Sequence, residues 1–380
     1  EIEWFRNETL NRLEAIHRLA SSYSPWKLPE YSSLRDDRIV GVLSKENPSL
    51  HYLPRFIDDL RDRLDRAIPT ASPEEKSLCE NLWQLLPQAR SHAIQLAEEL
   101  RSLAAEAAKF ADEMDFGFLL NPRRKLMSVG FNMQTQELEP ACYDLLATES
   151  RTAVFVAVAK EDVPQECWFR LGRAHTVEQG RPILLSWTGT MFEYLMPTLW
   201  MRSYSNTLLD RSRIAVAGCQ EEYGARKGVP WGISESAYFK LDEAGNYQYQ
   251  AFGLPRLALM KQESNPLVIS PYSTFLALTV DSSAALDNLH RMEKLGWFGA
   301  YGFYEAADYT APGFLRRLRC RLVLSWMAHH QGMSLLSMAN LLCDNVVQRW
   351  FHSNRRVQAT ELLLHEKPVS HVSRLPRSAA

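Results

Sequence analysis

Apolar and polar positions alternate with helical spacing along the first third of the chain. In the segment RFIDDLRDRLDRAI, apolar side chains recur every three or four positions, which places them on one face of a helix. A second, less regular stripe predicts another helix near the start of the chain. The first stripe consists of Phe56, Ile57, Leu60, Leu64 and Ile68, and the second of Phe5, Leu10, Leu13 and Ile16.

Two further signals extend this helical reading to residue 112. Ser72 followed by Pro73 is a typical helix start, with an N-cap and a proline in the first turn. The stretch Ser91–Met114 is rich in Ala, Leu and Glu, which predicts one long helix. Residues 1–112 contain no polar cluster that suggests chemistry. We therefore predict a helical linker or N-terminal segment over 1–112, a second region over 113–366 and a tail over 367–380 that is expected to be flexible.

The pattern changes after residue 112. The segment KLMSVGFNMQTQELEPA predicts a short hairpin, and Tyr247–Phe252 predicts a strand. Elsewhere helices alternate with loops rich in Gly, Pro and aromatic residues, which favours a mainly α chain arranged as an α/α toroid. The predicted helices are Asp144–Ala159, Phe192–Met201, Leu208–Tyr223, Pro271–Val280, Ser283–Leu295, Leu315–Gln331 and Ser334–Phe351.

Charge and cysteine content exclude several classes of function. The chain has 43 basic and 45 acidic residues, so no basic excess points to nucleic acid or anionic lipid. No run of 18 apolar residues could span a membrane. The six cysteines form no C-x-x-C pair and no zinc spacing, which favours free thiols in a reducing, cytoplasmic compartment. The N-terminus lacks both an initiator Met and a signal-peptide pattern, so we expect either a segment cut from a larger protein or a trimmed chain.

Five segments place polar residues among bulky aromatic ones, a combination that is costly to bury unless the polar groups are paired. Such segments lie in predicted loops or at helix ends, where functional sites concentrate. They are LSWTGTMFEYLMP, PWGISESAY, YQYQAFG, GAYGFYEAADY and WMAHHQGM.

Two glutamates stand out in these segments. Glu235 lies between two serines after Trp231-Gly232, and Glu305 follows Tyr304. An apolar, aromatic setting raises the pKa of a carboxyl group and suits it to act as a general acid. Glycoside cleavage needs two such groups, one to protonate the leaving oxygen and one to attack or to activate water. The ordinary alternative for each is a helix cap or a salt-bridged side chain.

Three further polar residues leave alternatives open. Glu193, in MFEYLMP, is either a third carboxylate of the site or a structural anchor. His329 and His330 either bind sugar hydroxyls or pack within a helix. No HExxH or comparable spacing accompanies them, so no metal and no other cofactor is predicted. Ser234 is not a nucleophile of the G-x-S-x-G type, because Ser236 stands where that motif has glycine.

Six segments, in order, resemble the glycoamylase-like central region of bacterial cyclic β-1,2-glucan synthases. They are LSWTGTMFEYLMP, GVPWGISESAY, YQYQAFG, YGFYEAADYT, MAHHQGMSL and VQATELLLHE, and the resemblance runs from about Met114 to Glu366. It implies an (α/α)6-barrel glycoside hydrolase-like domain that performs transglycosylation on β-1,2-glucan. Such a barrel has twelve helices, and the resembling region supplies fewer. We therefore expect an incomplete toroid, with the remaining synthase domains or a second chain as partner, at the inner membrane where the whole synthase is membrane-bound.

The resemblance also implies roles for single residues. In a retaining mechanism Glu305 would be the nucleophile and Glu235 the acid/base. The residues expected to bind the glucan are Trp187, Glu193, Trp231, Ser234, Tyr238, Tyr249, Tyr301, Tyr304, Asp308, His329, His330 and Gln331. An inverting β-1,2-glucan hydrolase and a non-catalytic glucan-binding module stay open. Carboxylates about 5–5.5 Å apart favour retention, and about 6.5–9.5 Å favours inversion.

Overall fold

The structure of this chain, a computed structural model, describes residues 2–36, 47–147, 149–178, 181–260, 266–310 and 320–367. The chain divides into two compact units, Glu1–Met114 and Asp115–Ala380. The predicted boundary after residue 112 lies two residues before this division. Of the predicted tail, residues 368–380 lie outside the described residues.

The first unit consists of helices, and its core lies where the helix Leu53–Ala67 packs against the helix Pro73–Glu113. Four of the five residues of the predicted stripe, Phe56 to Leu64, are buried in that core. The long helix begins with the predicted cap, since the Ser72 side chain and the Glu75 carboxylate each accept a backbone N–H of the other. The helices are α1 Ile2–Tyr23, α2 Ser32–Asp36, α3 Leu53–Ala67 and α4 Pro73–Glu113, with 3-10 turns at Pro25–Lys27, Pro29–Tyr31 and Ile68–Thr70.

The predicted stripe on α1 forms a helix but is not buried. Phe5, Leu10, Leu13 and Ile16 all stay exposed. Amphipathic spacing therefore predicted the secondary structure here, but not the packing.

The second unit combines short helices with two- and three-stranded sheets. Its helices are α5 Ser150–Ala159, α6 Glu166–Arg170, α7 Met191–Leu195, α8 Leu208–Lys227, α9 Pro271–Leu276, α10 Ser282–Lys294, α11 Ala328–Leu342, α12 Val346–Phe351 and α13 Arg355–Thr360, with 3-10 turns at Gly117–Leu119, Met196–Leu199, Ala277–Thr279 and Glu361–His365.

The strands of the described residues pair antiparallel, and the three-stranded sheet has the order Arg321–Val323, Ala306–Asp308, Val268–Ile269. The strands are β1 Leu120–Asn121, β2 Leu126–Met127, β3 Phe131–Asn132, β4 Glu137–Leu138, β5 His175–Glu178, β6 Arg181–Leu184, β7 Ser236–Leu241, β8 Tyr247–Gln250, β9 Val268–Ile269, β10 Phe298–Gly299, β11 Gly302–Phe303, β12 Ala306–Asp308 and β13 Arg321–Val323.

Helices of the second unit succeed one another as contacting pairs, α7 with α8, α9 with α10 and α11 with α12. The first members of these pairs also lie side by side, because α9 contacts both α7 and α11. This alternation is the sector of an α/α toroid that the sequence predicts. The mainly helical fold class is confirmed. Across the described residues, no helix is long and apolar enough to span a lipid bilayer.

Three predicted helices differ from the structure. The predicted helix Ser334–Phe351 is interrupted, since α11 ends at Leu342 and α12 begins at Val346. Of the predicted helix Leu315–Gln331, residues 315–319 lie outside the described residues, 321–323 form β13, and α11 begins only at Ala328. This strand forms because Val323 pairs with Ala306, a contact far apart in sequence that overrides local propensity. The predicted helix from Asp144 begins instead at Ser150, whose hydroxyl donates to the Asp144 carbonyl in the preceding turn.

Candidate active site

An extended segment after α8 carries Glu235 to the start of β7, and two buried side-chain amides hold it. Gln220 on α8 donates to the Ile233 carbonyl at 3.0 Å and accepts from the Ile233 N–H at 2.9 Å. Asn288 on α10 holds Trp231 in the same way, at 2.8 and 3.1 Å. Each amide satisfies both backbone groups of one residue, as a neighbouring strand would. Glu235 is thereby fixed by two helices.

Gly232 is required in this segment for two reasons. Its φ is +126°, a backbone conformation that residues with a Cβ rarely adopt. A Cβ there would also lie 2.7 Å from Ser273 Oγ and 3.0 Å from Thr274 Oγ1. The glycine of PWGISES therefore allows the segment to pass close to the start of α9.

The Glu235 carboxyl group is half-buried and has a raised pKa. Burial raises its pKa to about 7, the hydrogen bond from the Tyr249 hydroxyl at 3.2 Å opposes this, and the charges of Glu149 and Glu193 raise it further. A carboxyl group with a pKa near neutrality can donate a proton and take it back, which general acid–base catalysis requires.

Glu305 lies in a different environment. It precedes β12, and its side chain is 1% exposed. Its carboxylate lies 2.9 and 3.0 Å from His330 Nδ1 and accepts the Ala237 N–H at 3.2 Å. Glu305 is thus an almost fully buried carboxylate paired with a histidine from the first turn of α11, and it lines part of a cavity wall.

Tyr249 on β8 connects the two glutamates. Its hydroxyl donates to Glu235 and also lies 3.3 Å from His330 Nε2, while the other ring nitrogen of His330 faces Glu305. Tyr272 on α9 stacks flat on the His330 ring, with centroids 3.7 Å apart and planes 10° apart. Two acidic side chains that are 70 residues apart in sequence are therefore the ends of one chain of contacts.

Glu193 is a buried anchor for the loop before α7. It is 2% exposed, and its carboxylate accepts hydrogen bonds from the hydroxyls of Ser186, Thr188 and Thr190 and from the N–H groups of Thr188 and Thr190. This loop carries Trp187, whose indole is half exposed. Of the two roles that the sequence left open, the geometry favours the structural one.

Aromatic side chains surround a cavity of about 340 Å³ beside Glu305 and His330. Tyr304 and Gln331 contribute to its lining. The Trp326 ring lies 5.3 Å from both Tyr304 and the exposed Tyr301. Flat, accessible rings of this kind suit the C–H faces of pyranose sugars.

The predicted glucan-binding residues divide into an accessible and a buried group. Trp187, Tyr238, Tyr249, Tyr301, Tyr304, His329 and Gln331 are exposed or partly exposed. The buried group consists of Glu193, Trp231, Ser234, Asp308 and His330.

The buried residues support the site from within the core. Ser234 is 0% exposed; its hydroxyl accepts the Phe192 N–H and contacts the Tyr272 hydroxyl. Asp308 accepts the N–H groups of Phe239 and Thr310 and so joins β12 to β7. A sugar cannot reach these atoms, because the packing that satisfies them also excludes solvent.

Sequence reasoning missed Glu149 and Trp326. Glu149 is exposed, immediately precedes α5, and its charge reaches both Glu235 and Tyr249. Its surroundings in sequence, ATES, carry no aromatic signal, so only the tertiary structure shows this proximity. Trp326 stands in WMAHHQGM, and an aromatic residue beside two histidines and a glutamine is a signal that could have indicated it. The described residues contain no group of three or more His, Cys, Asp or Glu placed to hold a metal ion.

Comparison with known proteins confirms the resemblance. A family model named Glycoamylase and described as "Putative glucoamylase" matches residues 142–355. The chain is 40% identical over 288 residues to the cyclic β-(1,2)-glucan synthase NdvB of Rhizobium meliloti. That match covers 74% of this chain but only 10% of the relative, so the chain spans about a tenth of its length.

Two solved structures show a weaker similarity. One is an endo-β-1,2-glucanase from Talaromyces funiculosus in complex with β-1,2-glucan, at 11% identity and a TM-score of 0.48. The other is the same organism's endo-β-1,2-glucanase with sophorose, at 13% identity and a TM-score of 0.43. Each match covers 82% of this chain and 62% of the other.

Proposed function

Because this chain belongs to the glycoamylase family, we propose that its second unit cleaves and re-forms β-1,2-glucosidic bonds, with Glu235 as the acid/base. The observation that carries this proposal is the Glu235 carboxyl group, half-buried, held by two helices and with its pKa raised to about 7. The sugar class is taken from the relative, a cyclic β-1,2-glucan synthase. The exposed rings near the two glutamates suit a glucan chain.

The second carboxylate of the proposed mechanism is Glu149. It is exposed, and its charge acts on Glu235. Glu305, the partner expected from sequence, is 1% exposed, and its carboxylate is already engaged by His330 and the Ala237 N–H, so we assign the attack on the sugar to Glu149 instead. In the retaining reaction that we propose, Glu149 attacks the anomeric carbon while Glu235 protonates the leaving oxygen. Glu235 then deprotonates the incoming hydroxyl, which displaces Glu149.

Azide rescue distinguishes Glu149 from Glu305. An alanine at the nucleophile position leaves room for azide, which attacks the anomeric carbon and gives a glucosyl azide of inverted configuration. We expect Glu149→Ala to lose turnover and to recover it with azide, and Glu305→Ala to show no such recovery. Rescue of Glu305→Ala instead would restore the pairing of Glu235 with Glu305.

Product analysis tests the proposed reaction. The chain is incubated with linear β-1,2-glucan, and with β-1,3-glucan as a control. We expect rings or chains of changed length from the β-1,2-linked substrate, without a matching rise in reducing ends. A rise in reducing ends with an inverted anomer in the first product would indicate an inverting hydrolase. Calorimetric binding without any product would indicate a non-catalytic glucan-binding module.

The relative's size suggests the setting of this activity. Since the chain spans about a tenth of that synthase, we propose that it works together with further synthase domains that supply the linear glucan. Assembly at the inner membrane is part of the same proposal.

A further inference from the structure

The contacts behind Glu235 offer a path for a proton. The Tyr249 hydroxyl lies 3.2 Å from Glu235 Oε1 and 3.3 Å from His330 Nε2, and His330 Nδ1 lies 2.9 Å from Glu305 Oε1. A tyrosine hydroxyl has one proton and can accept as well as donate. It can therefore donate to only one of its two neighbours at a time, and must accept from the other.

This restriction gives the chain of contacts two complete arrangements. In the first, protonated Glu235 donates to Tyr249, Tyr249 donates to neutral His330, and His330 Nδ1–H donates to Glu305. In the second, Tyr249 donates to ionised Glu235, and protonated His330 donates to both Tyr249 and Glu305. One proton has then passed from Glu235 to Tyr249 while the hydroxyl proton of Tyr249 has passed to His330. No hydrogen bond is lost in either arrangement.

We propose that Tyr249, His330 and Glu305 form a proton relay that shares the catalytic proton of Glu235. This inference rests on the proposed function. Tyr249 passes the proton, His330 holds it, and Glu305 balances the imidazolium charge. Glu305 and His330 are positioning residues in this account, since they act on the sugar only through Tyr249 and Glu235. Their burial and the flat stacking of Tyr272 keep the imidazole in the orientation that the relay needs.

Other ionisable groups also face this relay. The burial of Glu235 contributes most to its raised pKa. The charges of Glu149, before α5, and of Glu193, on α7, raise this pKa further. Tyr272, on α9, has its own pKa raised by burial and by the nearby Glu235 charge. The His329 ring lies 4.0 Å from that of His330, and burial lowers the pKa of His329. These groups influence the protonation of Glu235 independently of the relay, so a test must separate their effect from that of the relay.

A double-mutant cycle on the pH profile makes this separation. Turnover of β-1,2-glucan should decline as the pH rises and Glu235 ionises. Tyr249→Phe removes the hydrogen bond to ionised Glu235, so we expect its basic limb to move toward higher pH by about one unit. When Tyr249 is present, His330→Gln and Glu305→Gln should also move the basic limb toward higher pH. In the Tyr249→Phe background, neither substitution should move it. Equal shifts in both backgrounds, or none in either, would overturn the relay. Tyr247→Phe, on the same strand, is the matched control.

A second readout does not depend on turnover. In the wild-type chain, the ¹⁵N chemical shift of His330 Nε2 should respond at about pH 7, where Glu235 titrates. That response should vanish in Tyr249→Phe and in Glu235→Gln. A response that persists in both variants would overturn the relay. If the wild type shows the coupled response but no glucan turnover, the relay stands and the proposed function falls.

Discussion

His330 Nδ1 lies 2.9 Å from Glu305 Oε1, and the side chains of both residues are only 1% exposed. Loss of a hydrogen bond between two groups that are this deeply buried leaves a desolvated donor or acceptor, which costs free energy. The pair also links two elements that are distant in sequence, because Glu305 precedes β12 and His330 lies in the first turn of α11. The contact between them is therefore a structural constraint on the site as well as a chemical one.

Removal of the Glu305 carboxylate should destabilise the fold. Glu305→Ala leaves two buried donors without their acceptor, His330 Nδ1 and the Ala237 N–H. We expect a loss of about 1–3 kcal/mol of unfolding free energy for each donor. Urea denaturation measures this, with Glu243→Ala on the exposed β7–β8 turn as a control that should change stability by less than about 0.5 kcal/mol. Equal effects of the two substitutions would contradict the buried pairing.

The raised pKa of Glu235 predicts how stability depends on pH. Burial raises the pKa in the folded chain from 4.5 to about 7. Between these values the folded state binds more protons than the unfolded state, so this group's contribution to stability declines as the pH rises through that range. Glu235→Gln cannot ionise. The melting temperature of this variant, relative to that of the wild type, should therefore rise as the pH increases from about 5 to about 8. Thermal melts test this, and a constant difference between the two proteins would contradict it.

Glu193 should influence glucan binding through the loop it anchors. In Glu193→Gln an NH₂ group replaces an oxygen that accepts from Thr188 and Thr190, so we expect a loss of about 1–3 kcal/mol of unfolding free energy. Displacement of Trp187 should raise KM as well. The matched variant Trp187→Ala should raise KM without the stability loss. A Glu193→Gln variant that is destabilised but binds glucan normally would separate the anchor from the site.

Two glycines provide an internal comparison. Gly232→Ala places a Cβ against Ser273 in a backbone with φ +126°, so we expect a loss of at least about 1–3 kcal/mol and a lower kcat as Glu235 shifts. Gly218→Ala, within α8, meets no atom within 4 Å and should stabilise the chain by about 0.5–1 kcal/mol. Denaturation and activity assays on both variants check this. Similar effects at the two positions would contradict the proposed constraint at Gly232.

Local sequence signals predicted the elements whose causes are local. The start of α4 could be predicted because Ser72 and Glu75 cap the first turn and Pro73 stands at its first position. The α3 stripe was readable because its apolar face meets the core. β13 was not readable as a strand, because its pairing with β12 depends on residues far away in sequence.

The site followed the same rule. Glu235 and Glu305 could be selected from their aromatic surroundings, but their different burial could not, since the burial of Glu305 depends on its tertiary contact with His330 on α11. Ser234 and Trp231 were expected to face sugar. Instead the Ser234 hydroxyl contacts the Tyr272 hydroxyl, and Asn288 binds the backbone N–H and carbonyl of Trp231, both within the core. Glu149 reaches Glu235 only through the tertiary fold, so no sequence motif could indicate it.

In the reaction that we propose, Glu235 gives its proton to the glycosidic oxygen. The direct measurement compares Glu235→Gln with the wild type on two β-1,2-linked substrates, linear glucan and an aryl glycoside whose dinitrophenolate leaves without protonation. We expect a loss of about 10²–10⁴-fold in turnover of glucan and a much smaller loss in the first-turnover burst of aryl release, which precedes the step that needs Glu235 as a base. Equal losses on both substrates, or normal turnover of glucan by the variant, would contradict it.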